Sequence, residues 1–251
     1  MTIQTEEDLI KLKQIGKIVA QTIQVMGSSL EPGMTTKELD LIGKNFLLSQ
    51  GARSAPELIY NFPGTTCISI NHKIAHGIPS EEQICPGDMV NIDVSAEKDG
   101  YFADSGYSFI VPPIAPIKQA LAKATRSTLF ECLARVRAGM PINLIGKIIT
   151  QAARRFGYQV IDNLGSHGIG RALHEDPEFI APYYDSNDQR ILTKGMVITI
   201  EPFLAIGASY AREAEDGWTL SIPKGCWAAQ FEHSLVITDK QPIILTSSSL
   251  H

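Results

Sequence analysis

Three passages in the first half of this chain recur, in the same order, in the second half. This echo restricts the fold more than any other feature. PGMTTKELDLIGKNFLLSQG (residues 32–51) is answered by AGMPINLIGKIITQAARRFG (138–157), each with Gly-Met followed by LIGK. A shared HGI begins at His76 and again at His167. GDMVNID (87–93) is answered by GMVITIE (195–201), so that Asp93 and Glu201 each come six residues after a glycine. One wide repeat is not a short-period solenoid, which needs many stacked units. It predicts a single domain over residues 1–251, built as two related halves at about 6–115 and 116–245, with a cleft between them of the kind that holds sites.

Each half opens with helical periodicity and continues with strands. Leu9, Leu12, Ile15, Val19, Ile23 and Met26 fall at three- and four-residue steps, which predicts a helix over 6–28. TTKE is a capping-box pattern from Thr35 to Glu38 and opens a second helix over 35–50, stopped by Gly51. A second pair is expected over 117–138 and 142–156, the latter closing at Gly157. Elsewhere alternation with Gly and Pro turns reads as strands, so the fold class is α+β.

The stretch VNIDVSAEKDGYFADSG (90–106) reads as a hairpin around Asp99-Gly100. Val90, Ile92 and Val94 share one face, and Asn91, Asp93 and Ser95 the other. With Lys98 and Asp99 as the loop, Asp93 stands opposite Asp104; with Asp99 and Gly100, the two are diagonal neighbours. Either way they share a face at about 5 to 8 Å. Like charges at that range repel. Either one acid is protonated, a basic group arrives from elsewhere, or a metal ion sits between them.

The second half supplies more acids. MVITIEPF ends an apolar strand on Glu201, AAQFEHSLVIT places Glu232 inside a strand with Phe231 and His233 on its other face, and SHGIGRALHEDP adds His167 and His174 among glycines. Taken singly, each has an ordinary reading as an edge acid, a strand-end acid or a loop histidine. Together they fall at matching places in two echoing halves and favour a metal site. Two Asp, two Glu and one His make a hard, oxygen-rich set suited to Mn, Fe, Co or Zn. Five ligands are too many for one tetrahedral ion and suit two ions bridged by carboxylates.

Composition narrows the class. A net charge of −5 with scattered basic residues gives no footprint for nucleic acid or an anionic membrane. Four dispersed cysteines without a CxxC indicate neither a disulfide framework nor a zinc knuckle. The acidic start MTIQTEEDL is unlike a signal peptide, and no apolar run approaches a membrane span. A cytoplasmic protein with reduced thiols is expected.

NIDV with an Asp eleven positions later, then HGIG, IEP and EH in order, resembles a type I methionine aminopeptidase. The resemblance runs from LKQIGKIVA through PGMTTKELD, FPGTTCISIN and AHGIPS to FEHSLVIT, nearly the whole chain. It implies the pita-bread fold: two pseudo-symmetric halves, antiparallel sheet backed by helices, and a central dinuclear site. It also implies metal ligands at Asp93, Asp104, His167, Glu201 and Glu232, with Asp104 and Glu232 bridging, and two divalent ions (Co, Mn, Fe or Zn). His76 and His174 fall on the family's substrate-contacting histidines. Cys67, Phe62 and Trp218 fall on the wall of the pocket for the methionine side chain, which a soft thioether suits.

The implied reaction is removal of the N-terminal methionine from nascent chains, preferably before a small second residue, through a metal-bridged hydroxide. Glu201 would act as general base, His174 would stabilise the oxyanion and His76 would position the amide. The implied partners are the N-termini of nascent polypeptides, with transient ribosome contact and a monomeric state. Ser166 and Leu173 depart from the glycine and the aromatic common at those places, and APELIY (55–60) departs from the usual pocket lip. No Cys/His-rich extension is expected. The rivals are an Xaa-Pro aminopeptidase or dipeptidase of the same fold, which typically carries a further N-terminal domain, and a non-catalytic pita-bread peptide-binding protein.

Overall fold

The apolar stripe at three- and four-residue steps becomes α1 (Glu6–Ser29), and the TTKE box opens α2 (Thr36–Ser49) with Thr35 as its N-cap. These lead to β1 (Arg53–Ser54), α3 (Ala55–Tyr60), β2 (Cys67–Ile70), β3 (Lys73–Ala75), β4 (Met89–Lys98) and β5 (Tyr101–Ile110). The second half runs α4 (Pro116–Arg135), α5 (Leu144–Phe156), β6 (Gln159–Val160), β7 (Ser166–Gly168), β8 (Glu175–Ile180), β9 (Val197–Ile200) and β10 (Phe203–Ile206). It ends with β11 (Arg212–Glu213), β12 (Leu220–Ser221), β13 (Trp227–Gln230), β14 (His233–Val236) and β15 (Ile243–Ile244). This computed structural model describes residues 1–247; residues 248–251 lie outside it.

Every strand pairing among the described residues is antiparallel. In the first half β4 carries β1 and β2 along one edge and β5 along the other. In the second, a five-stranded sheet runs β15-β14-β9-β7-β8 and a three-stranded one β13-β10-β6. Helix α1 packs its stripe, Leu12, Ile15, Val19, Ile23 and Met26, against Val90, Ile92 and Val94 of β4 in one core. Helices α4 and α5 cover Ile198, Ile200, Leu204 and Leu235 with Leu121, Leu129, Ile145 and Ile148 in another. Each such side chain removed from water contributes about 1.5–3 kcal/mol. The cores therefore fix which sheet face each helix pair covers, and the polar faces turn elsewhere. No helix among the described residues is long and apolar enough to cross a membrane.

The echoed glycines have equivalent backbones. Gly87 (φ 85) and Gly195 (φ 82) both sit in the left-handed region two residues before β4 and β9, a conformation that glycine adopts without steric cost. Helix α4 stops at Arg135, three residues short of the expected 138. Val136 there turns extended and buries itself in the core, and the Ala138 amide donates to Thr238 O instead of continuing the helix. Helix α3 has no counterpart in the sequence reading, because six residues are too few to show a period. Its signal is local: Ser54 Oγ accepts from Glu57 N, and Pro56 stands in the first turn.

Asp99 (φ 53) and Gly100 (φ 79) form the hairpin loop, so Ser95 stands opposite Asp104 and Asp93 opposite Gly106. The two aspartates are diagonal neighbours. Glu232 is not inside a strand as expected: it lies in the break between β13 and β14. There the chain leaves the β10 partner of β13 and takes up β9 with β14, and the crossing residues bond to β5 of the first half. Phe231 bridges Tyr107, and Glu232 N donates to Gly106 O at 2.9 Å. Glu201 likewise sits just past β9, before β10. Carrying the registers of β9–β14 and β10–β13 across the break sets Glu201 opposite Glu232.

Candidate metal centre and active site

The first half offers Asp93 and Asp104 on one face of the β4–β5 hairpin, the second offers Glu201 and Glu232 at the breaks after β9 and β13, and the halves meet along a seam of serine bonds. Ser105 Oγ donates to Glu232 O at 2.6 Å, and Ser108 Oγ donates to Gln230 O at 3.0 Å while accepting from Gln230 N at 2.9 Å. Close approach is possible because β5 has Gly106 at the contact: a Cβ there would lie 2.0 Å from Gln230 Oε1. The seam brings Asp93, Asp104, Glu201, Glu232 and His167 together from five places in the chain.

Donor atoms of Asp104, His167 and Glu232 lie within 4.8 Å of one another. His167 Nε2 is 3.6 Å from Glu201 Oε1 and 3.9 Å from Asp104 Oδ2. The ring's orientation is set by Nδ1, which donates to Gly168 O at 2.9 Å, since a carbonyl can only accept. The Nε2 lone pair therefore faces carboxylates. Three of the four acids are steered by a near neighbour: Ser95 Oγ donates to Asp104 Oδ1 (2.8 Å), Thr199 Oγ1 to Glu201 Oε1 (3.1 Å) and Gln230 Nε2 to Glu232 Oε2 (3.0 Å). Such outer contacts are the usual way a protein aims its metal ligands.

The charge state of this cluster answers the question that the hairpin raised. Burial, then the neighbouring acids, pushes the carboxyls of Asp93, Glu201 and Glu232 well above the usual range. No lysine or arginine lines the cavity above them, and none of the four acids forms an ion pair with one among the described residues. A basic side chain is therefore not the compensating group. Glu232 Oε1 is buried with no hydrogen-bond partner. Buried polar atoms normally have one, and an orphaned carboxylate oxygen beside an imidazole lone pair fits a divalent cation. The set has four carboxylates and one imidazole, which is chemistry for such an ion and not for a thiolate zinc.

Above the acids is a cavity of ≈ 400 Å³. His76 and His174 both line it, as do Cys67, Phe62 and Trp218, so every residue expected there is present. Phe62 and Trp218 meet edge to face at 5.2 Å. Cys67 stands opposite Asp93 across β2–β4, and burial keeps its thiol protonated. Ser166, at a position where glycine is common, accepts from Glu201 N at 3.1 Å and so helps to fix the acid. Leu173 is buried in the cavity wall. Tyr60 of APELIY, the stretch expected at the pocket lip, does line the cavity, but sequence reasoning missed its bond to His174. It also missed Gln230, Thr199 and Ser95. The last two sit two residues from an acid or opposite one, a pattern that strand alternation could have exposed.

This arrangement has relatives. A model of metallopeptidase family M24 matches residues 10–239. Methionine aminopeptidase 2 of Bacillus subtilis (strain 168) is 45% identical over 98% of this chain and 99% of its own length. The methionine aminopeptidase of Escherichia coli (strain K12) is 35% identical over 98% and 94%. The crystal structure of methionine aminopeptidase from Rickettsia prowazekii superposes with a TM-score of 0.93 at 34% identity, over 98% of this chain and 100% of that one. Prolidase from Pyrococcus furiosus superposes with a TM-score of 0.80 at 21% identity, and this chain spans 66% of it. That last likeness is one of fold alone. The pita-bread architecture expected from the motifs is the one observed, and the chain belongs to metallopeptidase family M24.

Proposed function

We propose that this protein removes the N-terminal methionine from peptides and nascent chains in the cytoplasm. Its Asp93, Asp104, His167, Glu201 and Glu232 would hold two divalent ions, with Asp104 and Glu232 shared between them. The observation that carries the reading is the convergence of four acids and an imidazole lone pair, without a basic side chain, beneath a ≈ 400 Å³ cavity. The names and near-full-length identities of the relatives support the same reading. Bound there, the divalent ions supply Lewis acidity, which activates a water near neutral pH and polarises the scissile carbonyl.

The chain's own groups do the rest. A Glu201 carboxylate oxygen takes the proton from the attacking water and returns it to the leaving amide nitrogen as the C–N bond breaks. His174 donates a hydrogen bond to the carbonyl oxygen as charge develops there, and His76 orients the amide. Phe62, Cys67 and Trp218 receive the unbranched thioether, a polarisable group matched to an aromatic and thiol wall. A small second residue is preferred, as the family resemblance implies.

The test is hydrolysis of Met-Ala-Ser against an Xaa-Pro peptide by protein loaded with Mn²⁺ or Co²⁺, with metal content measured alongside. The expected result is methionine release, about two ions per chain, and loss of activity with chelator. Preferential cleavage of the Xaa-Pro peptide would overturn the reading in favour of a prolidase-like activity. Absence of metal uptake would overturn it altogether.

A further inference from the structure

The hydroxyl of Tyr60, 114 residues away in the chain, lies 2.8 Å from Nδ1 of His174, with the two rings tilted at 5.8 Å between centroids. Tyr60 is the last residue of α3, and Asn61 follows it in the left-handed conformation. The turn that ends this helix therefore aims the phenol at the cavity. On its other side the ring of His174 lies against that of His167, at 4.2 Å between centroids. A ring contact holds the plane of an imidazole but does not tell one nitrogen from the other. Among the described residues Tyr60 is the group that makes this distinction.

We propose that Tyr60 is a positioning residue for His174, holding the ring by Nδ1 so that Nε2 carries the proton and is presented to the substrate. A phenol that donates to Nδ1 occupies that nitrogen's lone pair. In the neutral ring the single N–H is then on Nε2. An oxyanion needs a donor, and the opposite tautomer would offer it a lone pair. The hydrogen bond of the Tyr60 hydroxyl goes to His174 and not to an acid, so its contribution is made through His174. This inference rests on the role proposed above for His174.

Tyr60→Phe keeps the ring and removes the hydroxyl. On Met-Ala-Ser with Mn²⁺-loaded protein, kcat is expected to fall about tenfold, with KM within about twofold and metal content unchanged. In a double-mutant cycle with His174→Ala, adding Tyr60→Phe should then cost nothing further. Long-range ¹H–¹⁵N spectra of the Zn²⁺-loaded protein should show the His174 proton on Nε2 in wild type and a tautomer mixture in Tyr60→Phe. An equal cost in the His174→Ala background would overturn the proposal. So would a change in KM alone, or an unchanged tautomer. Should the wild type fail to cleave Met-Ala-Ser while the tautomer shift is seen, the proposed activity fails and the positioning of His174 stands.

Discussion

Asp104 and Ser234 exchange two hydrogen bonds across the seam: Asp104 N donates to Ser234 Oγ at 2.9 Å, and that hydroxyl donates to Asp104 O at 2.7 Å. One buried serine on β14 thus holds the backbone of an acid on β5, 130 residues away. The backbone beneath this candidate ligand is held by the same contact that joins the halves.

Ser234→Ala leaves the buried amide and carbonyl of Asp104 without partners. Each such group costs about 1–3 kcal/mol, so a loss of about 2–4 kcal/mol is expected in urea unfolding, together with weaker metal binding. A stability within about 0.5 kcal/mol of wild type, the order of a neutral surface change, would show that the seam does not depend on this hydroxyl.

Asp104→Asn should separate metal binding from folding. Asp104 adds repulsion to Asp93, Glu201 and Glu232 alike. Its neutralisation should raise the Tm of the metal-free protein by about 2–4 °C while abolishing metal occupancy and activity. Near-wild-type turnover, or a metal-dependent Tm rise in this variant, would contradict a bridging role.

The metal-free protein should lose stability from its buried acids as pH rises from the ordinary carboxylate range toward their raised values. Carboxyls raised above their unfolded pKa make the folded state bind more protons than the unfolded one, which gives a negative slope of stability against pH. His167 and His174, pushed down to about 4 first by burial, act in the opposite direction between that value and the ordinary histidine range. Above about pH 7 the histidine contribution has ended, and the thiols of Cys67 and Cys132, also raised by burial, act in the same sense as the acids, so Tm in EDTA should fall from pH 7 to 9. Divalent ions should flatten the slope and release protons on binding. A rising Tm over that interval in EDTA would show that the acids are ionised without a cation.

Gln230 links Asn91 in the first half (2.7 Å) to Glu232 (3.0 Å), and Gly106 leaves room for it. Gln230→Ala should weaken Mn²⁺ affinity about 10- to 100-fold, measured by calorimetry. Gly106→Ala should produce the same defect by displacing the glutamine, so the double variant should bind Mn²⁺ no more weakly than Gly106→Ala alone. Additive losses would mean that the two residues act separately.

Much of the fold was legible because its signals are short-range. Helix periodicity, the Thr35–Glu38 box and the Asp99-Gly100 turn each involve residues within about a turn or two of one another, and the structure has all three. The candidate acids were legible as interruptions of apolar strands. The hairpin left two registers open, since a shift by two residues keeps every side chain on its face, and packing against Gln230 is compatible with glycine, not aspartate, opposite Asp93. Helix α3 and the bond from Tyr60 to His174 were not legible, because a six-residue helix has no period and His174 is 114 residues from Tyr60.

By itself, then, the order of residues determined that two echoing α+β halves would form and that each would offer two carboxylates, those of the first half on one face of a hairpin. Only the tertiary structure decided that Glu201 stands opposite Glu232 at a break between sheets, that Ser166 holds Glu201, and that a phenol meets His174. The reason is physical. Local propensity and burial pattern act over a few residues, whereas contacts across a seam exist only after both cores have closed and set the distance between the halves.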